Sequence, residues 1–303
     1  MITSESEDFK RITFSADIDP FDPDFGALAI WYRLITHFAR RSLKYQDDKL
    51  PAIAGLAATM RSKIGYSYMA GVWKEDLEGL LWRSELLITP SGSNNSTFHE
   101  SNRISSLPSW AWASLNTHTI EWPPARELRH KHPLDASVVS TNIDVDPNNP
   151  YGNVKHASLT LFAACERVKC TWVEYTPSHQ LVPQPPPRLS LYWHFESGAT
   201  GYSHWTRYAC FDELSTYGRT IENNLMLYNG KGKEFQHQTT WILPGGLKQC
   251  MAIRIASRQK MVTTIHYFLL VVEDQNEPGC WKRVGMGFTW HWPSELRRTV
   301  VLV

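Results

Sequence analysis

Acyl-transfer chemistry on a hydroxyl needs a serine on a sharp, glycine-flanked turn, and the chain approaches that pattern once, at Gly201-Tyr202-Ser203-His204. The second glycine is missing, so Ser203 reads as a turn residue. Phosphate binding is approached twice. Gly230-Lys231-Gly232-Lys233 lacks the upstream glycine and the following hydroxyl of a phosphate loop, and Gly285-Met286-Gly287 lacks a third glycine. His130-x-His132 would set two imidazoles on one strand face, but Pro133 and the surrounding charges put the pair on an exposed loop. No carboxylate or thiolate lies near enough in sequence to complete a zinc site. Glu166, Asp212, Glu213 and Glu273 are the acids from which a hydrolytic pair, ~5–10 Å apart, would have to be drawn. None of these patterns is complete, and the sequence assigns no catalytic, cofactor-binding or metal-ligating residue.

Binding chemistry has more material. Trp290-His291-Trp292, Trp193-His194 and His204-Trp205 would suit stacking on sugar rings if they lined an exposed face. Most of the thirteen tryptophans have apolar neighbours, which favours the interior of a β-domain instead. The basic run from Arg126 to His132 has no aromatic platform, and 31 basic against 30 acidic residues leave a net charge of +1, so nucleic acid is not an expected partner. Pro183 to Pro187 fits a P-x-x-P ligand formally and a stiff inter-strand connection better. The five cysteines, Cys165, Cys170, Cys210, Cys250 and Cys280, are odd in number and scattered, which suits free thiols rather than a disulfide framework.

The elements that would position such residues follow from periodicity. Residues 1–24 form an aspartate- and proline-rich lead-in without a pattern. In residues 25–88, Leu28, Trp31, Tyr32, Ile35, Phe38 and Ala39 recur at helical spacing behind a possible Asp24 cap. A second helix is expected after Asp47 or Asp48, with Pro51 in its first turn, a stripe of Leu50, Ile53, Leu56, Ala57, Met60 and Ile64, and Gly65 as its stop. Glu75 and Asp76 open a third, short helix. Residues 89–106 are polar and turn-forming, the expected linker.

Residues 107–303 read as β-rich. LPSWAWASLNTHTIEW opens this region, with Trp110 and Trp112 two apart, as on one face of a core strand. Large-to-small changes in a core cost ~3–5 kcal/mol each, so Trp110→Ala with Trp112→Ala is expected to unfold the chain. Short strands are expected at Ser137–Val145, Val154–Val168, Trp172–Tyr175, around Leu189–Phe195 and Trp205–Phe211, at Trp241–Leu243, Met251–Ala256, Tyr267–Glu273, Trp281–Met286 and Thr299–Val303. The fold class is therefore α+β, an N-terminal helical segment packed on a C-terminal all-β, sandwich or barrel-like domain. The most hydrophobic run, Tyr267 to Val272, is far short of the ~20 residues a spanning helix needs, so no membrane insertion is expected. The acidic start, MITSESEDFKRITF, reads as no secretory signal, and a cytoplasmic location is the expectation.

YQDDKLPAIAGLAATM, YMAGVWKEDLEGLLW and LPSWAWAS, in that order and spacing from Tyr45 to Ser114, resemble the C-terminal part of fungal heterokaryon-incompatibility (HET-domain) proteins. Weaker similarity continues at Pro150-Tyr151-Gly152 and at Trp281 to Gly287, WKRVGMG. The family's signalling region lies upstream of these blocks, and nothing before Asp24 resembles its Tyr-Trp-Gly-like element. The resemblance implies a non-catalytic relative or fragment with a role in non-self recognition and programmed cell death, acting through a protein partner. A carbohydrate-binding β-module with exposed tryptophans, and then a hydrolase with two carboxylates or a Ser/His pair in a cleft, are the alternatives.

Overall fold

The computed structural model describes residues 26–41, 43–84, 103–104, 106–116, 120–123, 134–174, 189–195, 209–211, 219–220, 226–228, 234–236, 240–241, 250–260, 263–293 and 295–303. Helix α1 spans Ala27–Ala39. Gly26, not Asp24, stands at its N-cap, with no side-chain capping bond. Ala27 to Tyr32 are all buried, so its first turns are enclosed on every side and tertiary packing rather than a cap holds them. Helix α2, Lys49–Ile64, buries Leu50, Ile53, Ala57 and Met60 and ends on Gly65 in the left-handed region at φ 71. Asp48 occupies its N-cap without making a side-chain bond. Asp76 precedes a 3-10 turn at Leu77–Leu80.

Strands β1 (Tyr68–Met69) and β2 (Val72–Trp73) make a hairpin whose turn, Ala70-Gly71, has φ 44 and 96, the pattern of a type I′ turn. Strands β3 (Arg83–Ser84) and β4 (Ile120–Glu121) pair antiparallel. The segment between them departs from the expected strand. Trp112–Ser114 is a 3-10 helix entered through turns, although Trp110 and Trp112 are fully buried as their size demands. At the end of the segment expected as linker, Arg103 bridges to Leu115 and donates to the carbonyl of Ser109, 2.9 Å, and that of Arg283, 3.1 Å.

The β-region is built on β5 (Ser137–Val145) and the 21-residue β6 (Val154–Glu174), one continuous strand across both stretches expected there. Next come β7 (Leu189–Phe195), β8 (Ala209–Phe211) and the short β9 (Arg219–Thr220), β10 (Met226–Tyr228), β11 (Glu234–Gln236) and β12 (Thr240–Trp241). The chain closes with β13 (Cys250–Lys260), β14 (Thr263–Glu273), β15 (Cys280–Thr289) and β16 (Arg297–Leu302). β13, β14 and β15 form a meander. β16 then runs parallel to β15 and antiparallel to β6, which in turn pairs with β13. Pairing therefore returns to its start, and β6, β13, β14, β15 and β16 form a closed, barrel-like ring. Only a strand as long as β6 can serve both neighbours, offering residues 159–164 to β16 and 165–168 to β13. A single apolar cluster runs from Ala27 through Trp31, Trp73 and Trp112 to Leu161, Leu269 and Leu302, so helices and ring share one core. Among the described residues no helix is long and apolar enough to cross a membrane.

Candidate functional site

The segments 45–60, 68–82 and 107–114 meet in three dimensions, together with Tyr151 and Arg283. From α2, the buried Lys49 ammonium donates to the carbonyl of Leu115, and burial brings its pKa down to about 8. The Trp112 indole donates to the carbonyl of Gly71, 3.1 Å, and the Trp82 indole to that of Trp110, 2.9 Å. A Cβ at Gly71 would strike Trp112 Nε1, so glycine there answers both the positive φ and the close indole. From β15, the fully buried Arg283 donates to the Trp82 carbonyl and lies over that indole, 3.3 Å from its centroid. The Arg283 amide donates to Ser109 Oγ, 2.9 Å, and Ser109 donates to the carbonyl of Val303. Tyr151, from the β5–β6 turn, packs on Tyr68 with centroids 5.4 Å apart. Apart from Tyr68 and Tyr151, which also line the cleft described below, these side chains are buried against one another; they hold the fold and are not open to a ligand.

A polar cluster at one end of the ring contains the Ser/His pair that a hydrolase would need. Ser257 and His266 are cross-strand partners on β13 and β14, with Ser257 Oγ 2.6 Å from His266 Nδ1. Asp135 enters before β5, where its amide bonds to the carbonyl of Ile255 at the β13 bulge, and its carboxylate accepts the Ser257 hydroxyl. Arg254 Nε lies 3.4 Å from Asp135, and the guanidinium binds Glu295 through both terminal nitrogens, Nη1 to Oε1 at 2.7 Å. Burial first, and then the Arg254 charge, push His266 below its ordinary pKa, which favours the neutral imidazole. The Ser257 hydroxyl donates to Asp135 and is not directed at the ring, whereas activating it as a nucleophile requires it to donate to His266. Placing Lys260 opposite Thr263 in the hairpin is enough to bring Ser257 opposite His266, so strand register was the signal that could have found the pair.

A cleft of about 320 Å³ lies where the end of α2 and the β1–β2 hairpin face β5, β6 and their turn. Arg61, Lys74, Ser67, Tyr68, Thr141 and Tyr151 give it polar groups, while Ile143, Val145 and Val154 add apolar wall. Arg61 donates to the Tyr151 hydroxyl, 3.2 Å. The neighbouring Glu75 carboxylate is engaged by the Ser67 amide at 2.8 Å and hydroxyl at 3.0 Å.

The residues considered in the sequence divide sharply. Ser203, His130, His132, Gly230 to Lys233, Pro183 to Pro187, Asp212, Glu213, His204 and Trp205 lie outside the described residues. Gly285-Met286-Gly287, already short of a phosphate loop in sequence, lies mid-strand in β15 rather than in a turn, paired with β14 on one side and β8 on the other. Glu166 lies on β6 opposite Ala252 of β13, and Glu273 accepts the Gly279 amide in the turn before β15. Trp290 is exposed, whereas Trp31, Trp73, Trp82, Trp110, Trp112 and Trp292 are buried, so the described residues present no flat row of tryptophans. Cys165 and Cys250 are buried free thiols; Cys280 is partly exposed. Among the described residues no three His, Cys, Asp or Glu side chains gather to hold a metal ion. No family model, curated protein or solved structure matches this chain.

Proposed function

We propose that this chain is a non-catalytic relative of fungal heterokaryon-incompatibility proteins that acts in the cytoplasm, in non-self recognition and programmed cell death, through contact with a protein partner. One observation carries the reading. The blocks of resemblance, separated by as many as 201 residues at the Trp82–Arg283 contact, belong to one core: Lys49, Trp82, Trp110, Trp112 and Arg283 interlock, and Tyr151 joins them through Tyr68. Scattered matches of accidental origin have no reason to be packing partners, whereas a family's shared folding unit does. The Ser257–His266 geometry, with the serine proton held by Asp135, adds support for the non-catalytic part.

The test is expression of the chain in a filamentous fungus, with dead fusion cells counted by a vital dye. The wild-type chain is expected to change their frequency severalfold, Trp110→Ala with Trp112→Ala is expected to abolish the change, and a folded Ser257→Ala variant is expected to retain it. An unchanged frequency with the wild-type chain overturns the incompatibility role. Loss of effect in the folded Ser257→Ala variant overturns the non-catalytic reading.

A further inference from the structure

The cleft between α2, the β1–β2 hairpin and the β5–β6 turn has the composition of a ligand site, and this inference does not depend on the incompatibility reading. Its lining contains two cations, Arg61 and Lys74, and no aspartate or glutamate. Among the described residues no ion pair joins either cation to a carboxylate, and the neighbouring Glu75 is engaged by Ser67. A concave wall with unbalanced positive charge raises the local concentration of anions.

Two tyrosine rings supply a second kind of contact. Tyr68 and Tyr151 meet at 5.4 Å with planes 58° apart and both line the cleft, so a flat ligand ring entering it meets aromatic wall. Tyr68 is fixed from behind by edge contacts with Trp31 and Trp73, at 6.3 and 5.4 Å, and Arg61 is steadied by the Tyr151 hydroxyl. The wall is therefore preorganised, and binding loses little side-chain entropy. The volume, about 320 Å³, lies at the small end of the range for small-molecule pockets. It exceeds what a bare inorganic ion fills, and a polymer would require a longer basic track.

We propose that this cleft binds a small organic anion, a carboxylate or phosphate carried on a flat ring, with Arg61 and Lys74 holding the anionic group, Tyr68 and Tyr151 the ring, and Ile143 and Val145 closing the apolar side. Titration calorimetry on the full chain tests it with two probes, adenosine 5′-monophosphate and 1-naphthoate, against adenosine, 1-naphthylmethanol and inorganic phosphate. At least one ring-bearing anion is expected to saturate a single site. Its neutral counterpart and inorganic phosphate should each bind at least about tenfold more weakly, since a charged hydrogen bond or a buried ring supplies that much. Arg61→Ala and Lys74→Ala, both exposed positions, are expected to keep the melting transition and weaken the anion by about tenfold each. The proposal is overturned if neither anion saturates, if both variants bind as the wild type does, or if phosphate alone binds as tightly as the ring-bearing probes.

Discussion

The Arg283 guanidinium lies over the Trp82 indole, 3.3 Å from the ring centroid, and donates to the same residue's carbonyl. A charge at 0% exposure persists only if its surroundings replace water. Here an aromatic face, a carbonyl and the enclosing core do so. Arg283→Ala removes the stack and leaves the Trp82 carbonyl without that donor. A desolvated cation–π contact and a charged hydrogen bond together are worth roughly 3 kcal/mol or more, so the urea midpoint should fall accordingly. Lysine keeps the charge but not the planar fork, and Arg283→Lys should recover less than half of the loss. Full recovery by lysine would show that charge alone matters.

Gly71 and Trp112 form a second interlock. The glycine has φ 96, its carbonyl accepts the indole N–H, and a methyl group on it would collide with that nitrogen. Gly71→Ala should therefore cost ~2–4 kcal/mol, from strain and clash together. In a Trp112→Phe background, where the nitrogen is absent, the same change should cost at least ~1 kcal/mol less. Equal costs in the two backgrounds, measured by chemical denaturation, would assign the whole effect to backbone strain.

How legible this architecture was depends on the distance over which a signal acts. The stripe of Leu50, Ile53, Ala57 and Met60 and the stop at Gly65 are local, and α2 lies where they place it. Indole size alone predicts that Trp110 and Trp112 are buried, but alternation over three residues cannot distinguish a strand from turns entering a 3-10 helix. The type I′ turn at Ala70-Gly71 and the closure of the ring through β6 depend on contacts the local pattern does not encode. Arg283 looks like any strand arginine until Trp82, 201 residues away in sequence, is seen beneath it. The cleft was illegible for the same reason. Arg61, Lys74 and Tyr151 come from three separate elements, and none belongs to a spacing motif.

The Ser257–His266–Asp135 cluster makes stability depend on pH. His266 faces Arg254, His291, Asp135 and Glu295, and burial with the Arg254 charge puts its folded pKa below the unfolded 6.5. The unfolded chain therefore binds the proton more readily. The contribution is fully present above pH 6.5 and is lost as pH falls towards the folded pKa. Urea midpoints from about pH 8 to about pH 5 should decline below the unfolded value in the wild type, and the decline should be shallower in His266→Gln. Parallel profiles would exclude His266 as the source.

The last interlock joins the helical layer to the ring. Glu78, in the 3-10 turn after β2, pairs with Arg258 on β13, and both side chains are nearly inaccessible. Beside them Tyr32 of α1 donates to Asp76, 2.6 Å, in the same turn. Two charges removed from water gain little over an apolar pair of equal volume, but one left alone costs ~3–5 kcal/mol. Glu78→Leu alone should therefore lower the unfolding free energy, though by less than that amount, because the buried Arg258 guanidinium loses its ion-pair partner but keeps the charge of Asp76 and the Ser257 carbonyl. Glu78→Leu with Arg258→Met should lower it by less than either single change. The sign of the coupling is what matters, since a double variant as weak as the sum of the singles would mean that each side chain stabilises the fold through separate neighbours rather than through the other.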